Sequence, residues 1–441
     1  MRPSGAQSKA AWRALRGAAA PSERAGSALR RLRELVASAE AGEGATVRES
    51  LRVVDVETFI DEAKAPRGVL LDARAPCEFL KGHMLGANNL ALLDDEDRVK
   101  VGTRFKQTGR GPAIELGFSL LEPKVTSILQ RADDILNAGD ADRISIYCAR
   151  GGLRSQLTGW FLQEALGNAI EKVTVCNGGY KAYRNLMLDC YLSEPQPEIR
   201  IVGGRTGVGK TRLLHSLCEA HGEQTIDLEG LAEHKGSAFG RIGQNVLQPS
   251  SEQFHNLVGT QWRNLDPSRP VYIEDEGPNV GDCQVPQALY ARMRSAPLVM
   301  RVEVPEAQRV KNLIRDYCVV DEKADPENFA RWNQSMCDAA TRVRRRLGDD
   351  RLKAVLEGLQ GRQYEDVAKT LLSYYDRLYD KHLTKNRDTR DFVSISIPEN
   401  ELKGKVHSEA ELYAALASQA IEAANRTRQR STDSGCAKSS L

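Results

Sequence analysis

Two stretches of this 441-residue chain carry residue types that can do chemistry. The first is Cys148-Ala149-Arg150-Gly151-Gly152-Leu153-Arg154-Ser155. Glycines beside a cysteine let backbone N–H groups turn inward around an anion, and a following helix start adds partial positive charge. A cysteine in that setting favours the thiolate, the nucleophilic form. Arg150 and Arg154 are then placed to hold an oxyanion of the incoming group. A lone cysteine at a strand end is often only a small buried apolar group, but the neighbouring glycines and arginines speak against that here. The second stretch is Gly204-Arg205-Thr206-Gly207-Val208-Gly209-Lys210-Thr211. Gly204, Thr206, Gly207 and Gly209 can wrap phosphate oxygens with backbone N–H groups. Lys210 neutralises outer oxygens, and Thr211 can ligate Mg²⁺. Downstream, Glu274-Asp275-Glu276 ends an apolar run, and Asp275 is the candidate acid to share a Mg²⁺ with Thr211, Glu274 and Glu276 competing for that place.

Such residues need elements to hold them. Ile144 to Tyr147 reads as a short buried strand before Cys148, and Leu157, Trp160, Phe161, Leu162, Ala165 and Leu166 read as a helix after it. Ile199 to Val202 and then Leu213, Leu214 and Leu217 flank the second loop in the same way, which places a full G-x4-G-K-T pattern in strand–loop–helix context, a P-loop. Val69-Leu70-Leu71, Val173 to Cys176 and Val271 to Ile273 are further strands. Alternating strands and helices imply parallel sheets covered on both faces. Asp72 and Arg74, two apart at a strand end, can pair and brace a loop. His83, between Gly82 and Gly86, reads as a satisfied structural histidine. Asp227 to Gly240 is a polar loop expected near the phosphate site. Tyr374, Tyr375 and Tyr379 at helical spacing read as core, although tyrosines also stack on bases. Thr341 to Gly348 is the densest basic cluster, suited either to phosphates or to a solvated helix face.

The expected organisation is a 1–50 extension, a 51–193 α/β domain, a 194–305 P-loop domain after a Glu194-Pro195-Gln196-Pro197 linker, a 306–423 helical region and a 424–441 disordered tail. The extension carries nine Lys/Arg against five Glu, which leaves −2 of the +2 net charge on the remainder. Its Ala, Ser and Arg content fits an organelle transit peptide or a disordered tail, and without a transit peptide the protein would be cytoplasmic. Any RNA binding must then use a local basic patch. The nine cysteines form no CxxC pair and no cluster at metal spacing, which argues against a disulfide framework or a zinc site. No apolar run is long enough to span a membrane.

Cys148 and Arg154 make a Cys-x5-Arg arrangement, shared by cysteine phosphatases and by long-loop rhodaneses. Asp72-x-Arg74, Glu78-Phe79-x-x-Gly82-His83, the Cys148 loop and Gly178-Gly179-Tyr180 resemble a rhodanese domain, whose members carry sulfur or selenium on that cysteine. Joined to a P-loop, and with Asn88 to Leu93, Val101-Gly102-Thr103, Asp227 to Leu231, Gly236 to Gly240, Glu274 to Glu276 and Tyr374-Tyr375-Asp376, the chain resembles the tRNA 2-selenouridine synthase family from about Val53 to Leu383. Ala91 departs from the family's usual proline. The resemblance implies a rhodanese-like domain followed by a P-loop domain with a helical extension. It implies a transferase that replaces the 2-thio sulfur of a tRNA wobble uridine with selenium from selenophosphate, by way of an S-geranyl intermediate made from geranyl diphosphate. It also implies Cys148 as nucleophile, with Arg150 and Arg154 beside it, and a selenophosphate-producing enzyme as donor source. No tightly bound cofactor is expected, apart from Mg²⁺ at Thr211 and Asp275. Whether the P-loop takes geranyl diphosphate or a nucleotide stays open on these residues. The alternative is a cysteine-dependent phosphatase fused to a P-loop kinase-like domain, disfavoured by Tyr147 where phosphatases commonly have histidine.

Overall fold

β-branched and apolar runs become strands where a sheet can bury both faces. The computed structural model describes residues 20–41, 46–243, 246–318, 320, 322–385, 387, 392–397 and 408–438. Its contacts divide the chain into two units, Met1–Met187 and Leu188–Leu441.

The first unit runs α1 (Pro21–Ala41), β1 (Arg52–Val54), α2 (Val56–Ala63), β2 (Gly68–Asp72), α3 (Pro76–Lys81), β3 (Asn88–Asn89), α4 (Asp95–Thr108), α5 (Arg110–Leu121), α6 (Val125–Ala138), β4 (Arg143–Tyr147), α7 (Leu153–Leu166), β5 (Lys172–Cys176) and α8 (Gly179–Asp189). The strands form one five-stranded sheet in the order β1-β5-β4-β2-β3, every pairing parallel. β4 lies at its centre, with Tyr147 opposite Asp72 and Ile146 opposite Val175. The loop after β4 therefore emerges at the carboxyl end of a central strand, where open α/β sheets place their ligands.

α1 corrects the expectation for the extension. Ala25, Ala28, Leu29, Leu32 and Val36 are buried in the same core as Leu129, Leu136, Phe161 and Leu162. Arg24 donates to Asp133 at 3.3 Å and to the Ala165 carbonyl at 3.2 Å. The arginines read as a targeting pattern lie on a helix whose apolar stripe completes a domain. Residues 1–19 lie outside the described residues.

The second unit runs β6 (Ile199–Gly204), α9 (Lys210–His221), β7 (Gln224–Ile226), α10 (Leu228–Leu231), α11 (Ser251–Arg263), β8 (Val271–Glu274), β9 (Asn279–Val280), β10 (Cys283–Gln284), α12 (Gln287–Arg294), β11 (Leu298–Glu303), α13 (Glu306–Tyr317), α14 (Pro326–Arg342), α15 (Arg344–Leu347), α16 (Asp349–Gln360), α17 (Tyr364–Thr384), β12 (Phe392–Ser396) and α18 (Glu409–Lys438). Its main sheet has the order β12-β11-β6-β8-β7, all parallel, and β9 and β10 pair antiparallel beside it. Two expectations change. β12 arises inside the region read as helical and closes the sheet against β11. α18 continues to Lys438, through most of the tail expected to be disordered, and Leu412, Tyr413, Leu416, Ala417 and Ala420 bury it against Leu213, Leu214 and Leu217 of α9. The class of fold, α/β with parallel sheets and a helical C-terminal part, is the one expected.

Among the described residues no helix is long and apolar enough to cross a membrane.

Candidate functional site

In the first unit Cys148 follows β4 directly and is only 3% exposed. Ser155, in the first turn of α7, donates from Oγ to the Cys148 sulfur at 3.1 Å and lies 3.2 Å from the Gly152 carbonyl. The turn Asn177 to Tyr180 packs against the same loop. The Tyr180 and Lys181 N–H groups donate to the carbonyls of Cys148 and Ala149 at 2.8 and 3.0 Å. Gly151 and Gly179 have φ of +65° and +56°, and a Cβ on Gly179 would overlap the Cys148 carbonyl and the Gly151 nitrogen. Both glycines are required by that close approach.

The two arginines of the loop differ. Arg150 is exposed. Arg154 is not free: its Nη1 and Nη2 donate to Glu78 at 2.5 and 3.2 Å. Burial alone would raise the Glu78 carboxyl, but Arg154 and the Ala75 N–H hold it below its ordinary value. Glu78 sits on α3, which Arg74 ties down. Arg74 reaches both Asp72 oxygens and the Gly82 carbonyl at 2.6 to 3.0 Å, and its guanidinium lies 3.8 Å over the Tyr180 ring. The Asp72–Arg74 brace is as expected. His83 stacks on Phe79 at 3.9 Å and contacts its carbonyl at 3.0 Å, a structural role. Sequence reading missed the Glu78–Arg154 tie; the signal available was a lone Glu in the first turn of a short helix.

In the second unit Gly204 ends β6 and Lys210 begins α9. Gly207 and Gly209 have φ of +81° and +82°. The loop is held from behind: Arg309 Nε donates to the Thr206 carbonyl at 2.8 Å, Asn312 Nδ2 to Gly207 at 2.7 Å, and Tyr413 Oη to Val208 at 3.0 Å. Asp376, from the Tyr374-Tyr375-Asp376 segment, pairs with Arg309. A cleft of about 310 Å³ opens on the loop and is lined by Lys210, Thr211, Glu229, Lys235, Ser237 and Tyr379 among others. Residues of the polar loop after Ile226 thus line the same cleft as Lys210 and Thr211.

The acid assignment changes. Asp275 is held by Arg387 at 2.7 Å, with Arg294 at 3.5 Å and His382 at 3.8 Å. None of Glu274, Asp275 and Glu276 is among the residues lining the cleft itself, but only Glu276 of the three forms an ion pair with Lys210. Side chains alternate along a strand end, so Glu274 and Glu276 share the other side. They meet Glu229, with carboxylate oxygens of all three within 4.8 Å of one another. Lys210 Nζ lies 3.8 Å from Glu276 and 5.1 Å from the Tyr379 ring. Burial pushes the pKa of all three carboxyls up; for Glu274 and Glu276 the Glu229 charge adds to it and Lys210 opposes it. Burial works against the charge on Lys210, but Tyr379 and the three acids outweigh it and raise its pKa. Glu274 Oε2 and Glu276 Oε1 are buried with no hydrogen-bond partner. Such oxygens suit a divalent cation better than Asp275 does.

An apolar pocket of about 60 Å³ adjoins the cleft and shares Thr206, Ser237, Leu313 and Tyr317 with it. Its walls are Phe239, Met336, Leu359, Val367, Leu372 and Tyr375 among others.

A family model for a rhodanese-like domain matches residues 55–186, and one for a tRNA 2-selenouridine synthase AAA domain matches residues 197–397. Proteins named tRNA 2-selenouridine synthase are 33% identical over 341 residues in Marinobacter nauticus, 34% over 337 in Sulfurovum sp. and 36% over 335 in Cupriavidus necator. The matches cover 72%, 72% and 70% of this chain and 89%, 89% and 87% of those proteins. With both matches in order along one polypeptide, the chain belongs to the tRNA 2-selenouridine synthase family.

Proposed function

We propose that this enzyme modifies tRNA, exchanging the 2-thio sulfur of a wobble uridine for selenium from selenophosphate through an S-geranyl intermediate. The observation that carries the geranyl step is the apolar pocket joined to the P-loop cleft. A nucleotide needs polar partners for base and ribose beyond its phosphates. A geranyl diphosphate needs an anion cradle and, within one short chain, a dry hydrocarbon-lined slot. Leu313 and Tyr317 stand on the border of the two spaces.

In the first step the uridine sulfur attacks C1 of geranyl diphosphate. A C–S bond forms, a C–O bond breaks, the N3 proton of the uridine passes to solvent, and diphosphate leaves into the P-loop amides and Lys210. The Glu229, Glu274 and Glu276 group, with Thr211, would hold a Mg²⁺ that neutralises the leaving diphosphate. In the second step Cys148 attacks the phosphorus of selenophosphate: an S–P bond forms, the P–Se bond breaks and selenide is released, while loop amides and Arg150 cradle the phosphoryl group until water hydrolyses it to phosphate. The selenide attacks C2, a C–Se bond forms, the C–S bond breaks, and the geranylthio group departs as geranylthiol after taking up a proton. Arg154, anchored by Glu78, shapes that cradle. The donor comes from an enzyme that makes selenophosphate.

The test is mass spectrometry of nucleosides from a 2-thiouridine tRNA incubated with the protein, geranyl diphosphate and selenophosphate. Geranylated nucleoside is expected with the first substrate alone, and 2-selenouridine with both. If neither forms while an aryl phosphate is hydrolysed, the reading fails in favour of a phosphatase.

A further inference from the structure

Beside the P-loop cleft lies a wider, polar groove of about 1,090 Å³, lined by Arg241, Arg331, Ser335, Asp338 and Arg342 among others. Arg331, Ser335, Asp338 and Arg342 recur at helical spacing along one face of α14. Arg241 comes from the opposite wall, three residues after Ala238. Among the described residues, Arg241 and Arg331 have no ion pair, and Arg342 donates only to the Ala238 carbonyl at 3.1 Å. Surface arginines nearby behave differently: Arg344 pairs with Asp349 and Arg362 with Glu322. Of the two acids on the wall, Asp338 already accepts from Gln334 at 2.8 Å. Arg345 and Arg346, exposed on α15, extend the positive surface beyond α14.

Unpaired guanidiniums around a roomy polar groove suit an absent polyanion, because the planar fork of Arg matches phosphate. The position of the groove adds a second argument. Ser237 borders the groove, the P-loop cleft and the apolar pocket alike. A chain lying in the groove brings one of its groups to the place where the diphosphate and the hydrocarbon meet.

We propose that this groove is the RNA-docking surface of the second unit, with Arg241, Arg331 and Arg342 contacting the phosphates of the tRNA loop that carries the reacting uridine. The inference rests on the reading above that the substrate is a tRNA. Single-stranded loops are what sequence-tolerant grooves of this kind accept, since their bases can be splayed toward a neighbouring site.

The experiment is filter binding of a tRNA transcript to the full-length protein between 50 and 200 mM salt. The groove triple Arg241→Gln, Arg331→Gln, Arg342→Gln is compared with the charge-matched triple Arg351→Gln, Lys353→Gln, Lys369→Gln, whose residues are exposed outside the groove. The groove triple is expected to weaken binding at least tenfold. It should lower the slope of log affinity against log salt by about 2, at ~0.7 for each single-strand phosphate that is no longer neutralised. The control triple should change little. Equal effects of the two triples, or an unchanged groove triple, overturn the groove while leaving the tRNA reading in place. No binding by the unaltered protein overturns both. Because the triple can also disturb folding, photo-crosslinking of the unaltered protein to a loop-labelled 4-thiouridine tRNA gives an independent answer. Crosslinks are expected within residues 234–243 and 328–342, and crosslinks confined to other peptides of the second unit overturn the proposal.

Discussion

At the level of single residues, neighbours in sequence serve opposite purposes. Asp275 and Glu276 are adjacent, yet one is neutralised by Arg387 and the other faces Lys210. Acid content and position after an apolar run were legible in the sequence. Which acid faces the phosphate loop was not, because that depends on the side of β8 that carries β6, a long-range pairing of Val202 with Glu274. Three carboxyls crowded around one lysine, two of them on buried residues, leave an excess of negative charge, and their pKa values lie above the ordinary 4.5. The folded protein therefore keeps protons that the unfolded chain releases. Stability from this group is greatest below about pH 4.5 and is lost as pH rises toward the elevated folded values. Glu276→Gln should raise the melting temperature of the unliganded protein at pH 8 by about 2–4 °C for each kcal/mol relieved, with no gain at pH 4. A fall at pH 8 would mean that Glu276 supports Lys210 more than it repels the other acids. Ser155 gives a second prediction at this scale. Its hydroxyl donates to the Cys148 sulfur and fixes the position of that sulfur in the loop, and a typical hydrogen bond contributes about 1 kcal/mol. Ser155→Ala should change the rate of alkylation of Cys148 by iodoacetamide by roughly fivefold, with the unfolding transition little changed.

Elements far apart in the chain build the P-loop. Its own glycines and the strand before it were plain from sequence, since the motif is local. Its support was not: Arg309 and Asn312 come from α13, Asp376 from α17 and Tyr413 from α18. β12 escaped notice for the same reason. Phe392 to Ser396 is short, and only its register against Val299 to Glu303 makes it a strand. The stripe of Ala25, Ala28, Leu29, Leu32 and Val36 was present in the sequence but hidden by the arginines around it. The support of the P-loop can be tested through Gly209, where φ is +82° and a Cβ would run into the Tyr413 side chain. Gly209→Ala should weaken binding of inorganic pyrophosphate at least tenfold by calorimetry. Adding Tyr413→Ala to that variant should recover part of the loss, because it removes the overlap while leaving the backbone strain. No recovery would place the whole cost in the backbone.

For the whole molecule, each unit has a parallel sheet and its own core, and each carries one half of the proposed chemistry. The cysteine loop of the first unit is closed by contacts among β4, α7 and the turn before α8. The P-loop, the acidic trio and the apolar pocket are drawn wholly from the second. The two steps should then separate cleanly by mutation. Cys148→Ala should leave geranylation of 2-thiouridine tRNA intact and let the geranylated nucleoside accumulate when selenophosphate is present. Lys210→Ala should abolish that nucleoside, because the leaving diphosphate loses its main counter-charge, at a cost of several kcal/mol in the transition state. Supplied with tRNA that is already geranylated, the Lys210→Ala protein should still form 2-selenouridine at close to the unaltered rate. Nucleoside mass spectrometry on the two variants, each with geranylated and ungeranylated tRNA, reads all of these outcomes. If Cys148→Ala also stops geranylation, or if Lys210→Ala also stops selenation of geranylated tRNA, the steps share machinery across the units and the division drawn from their structures fails.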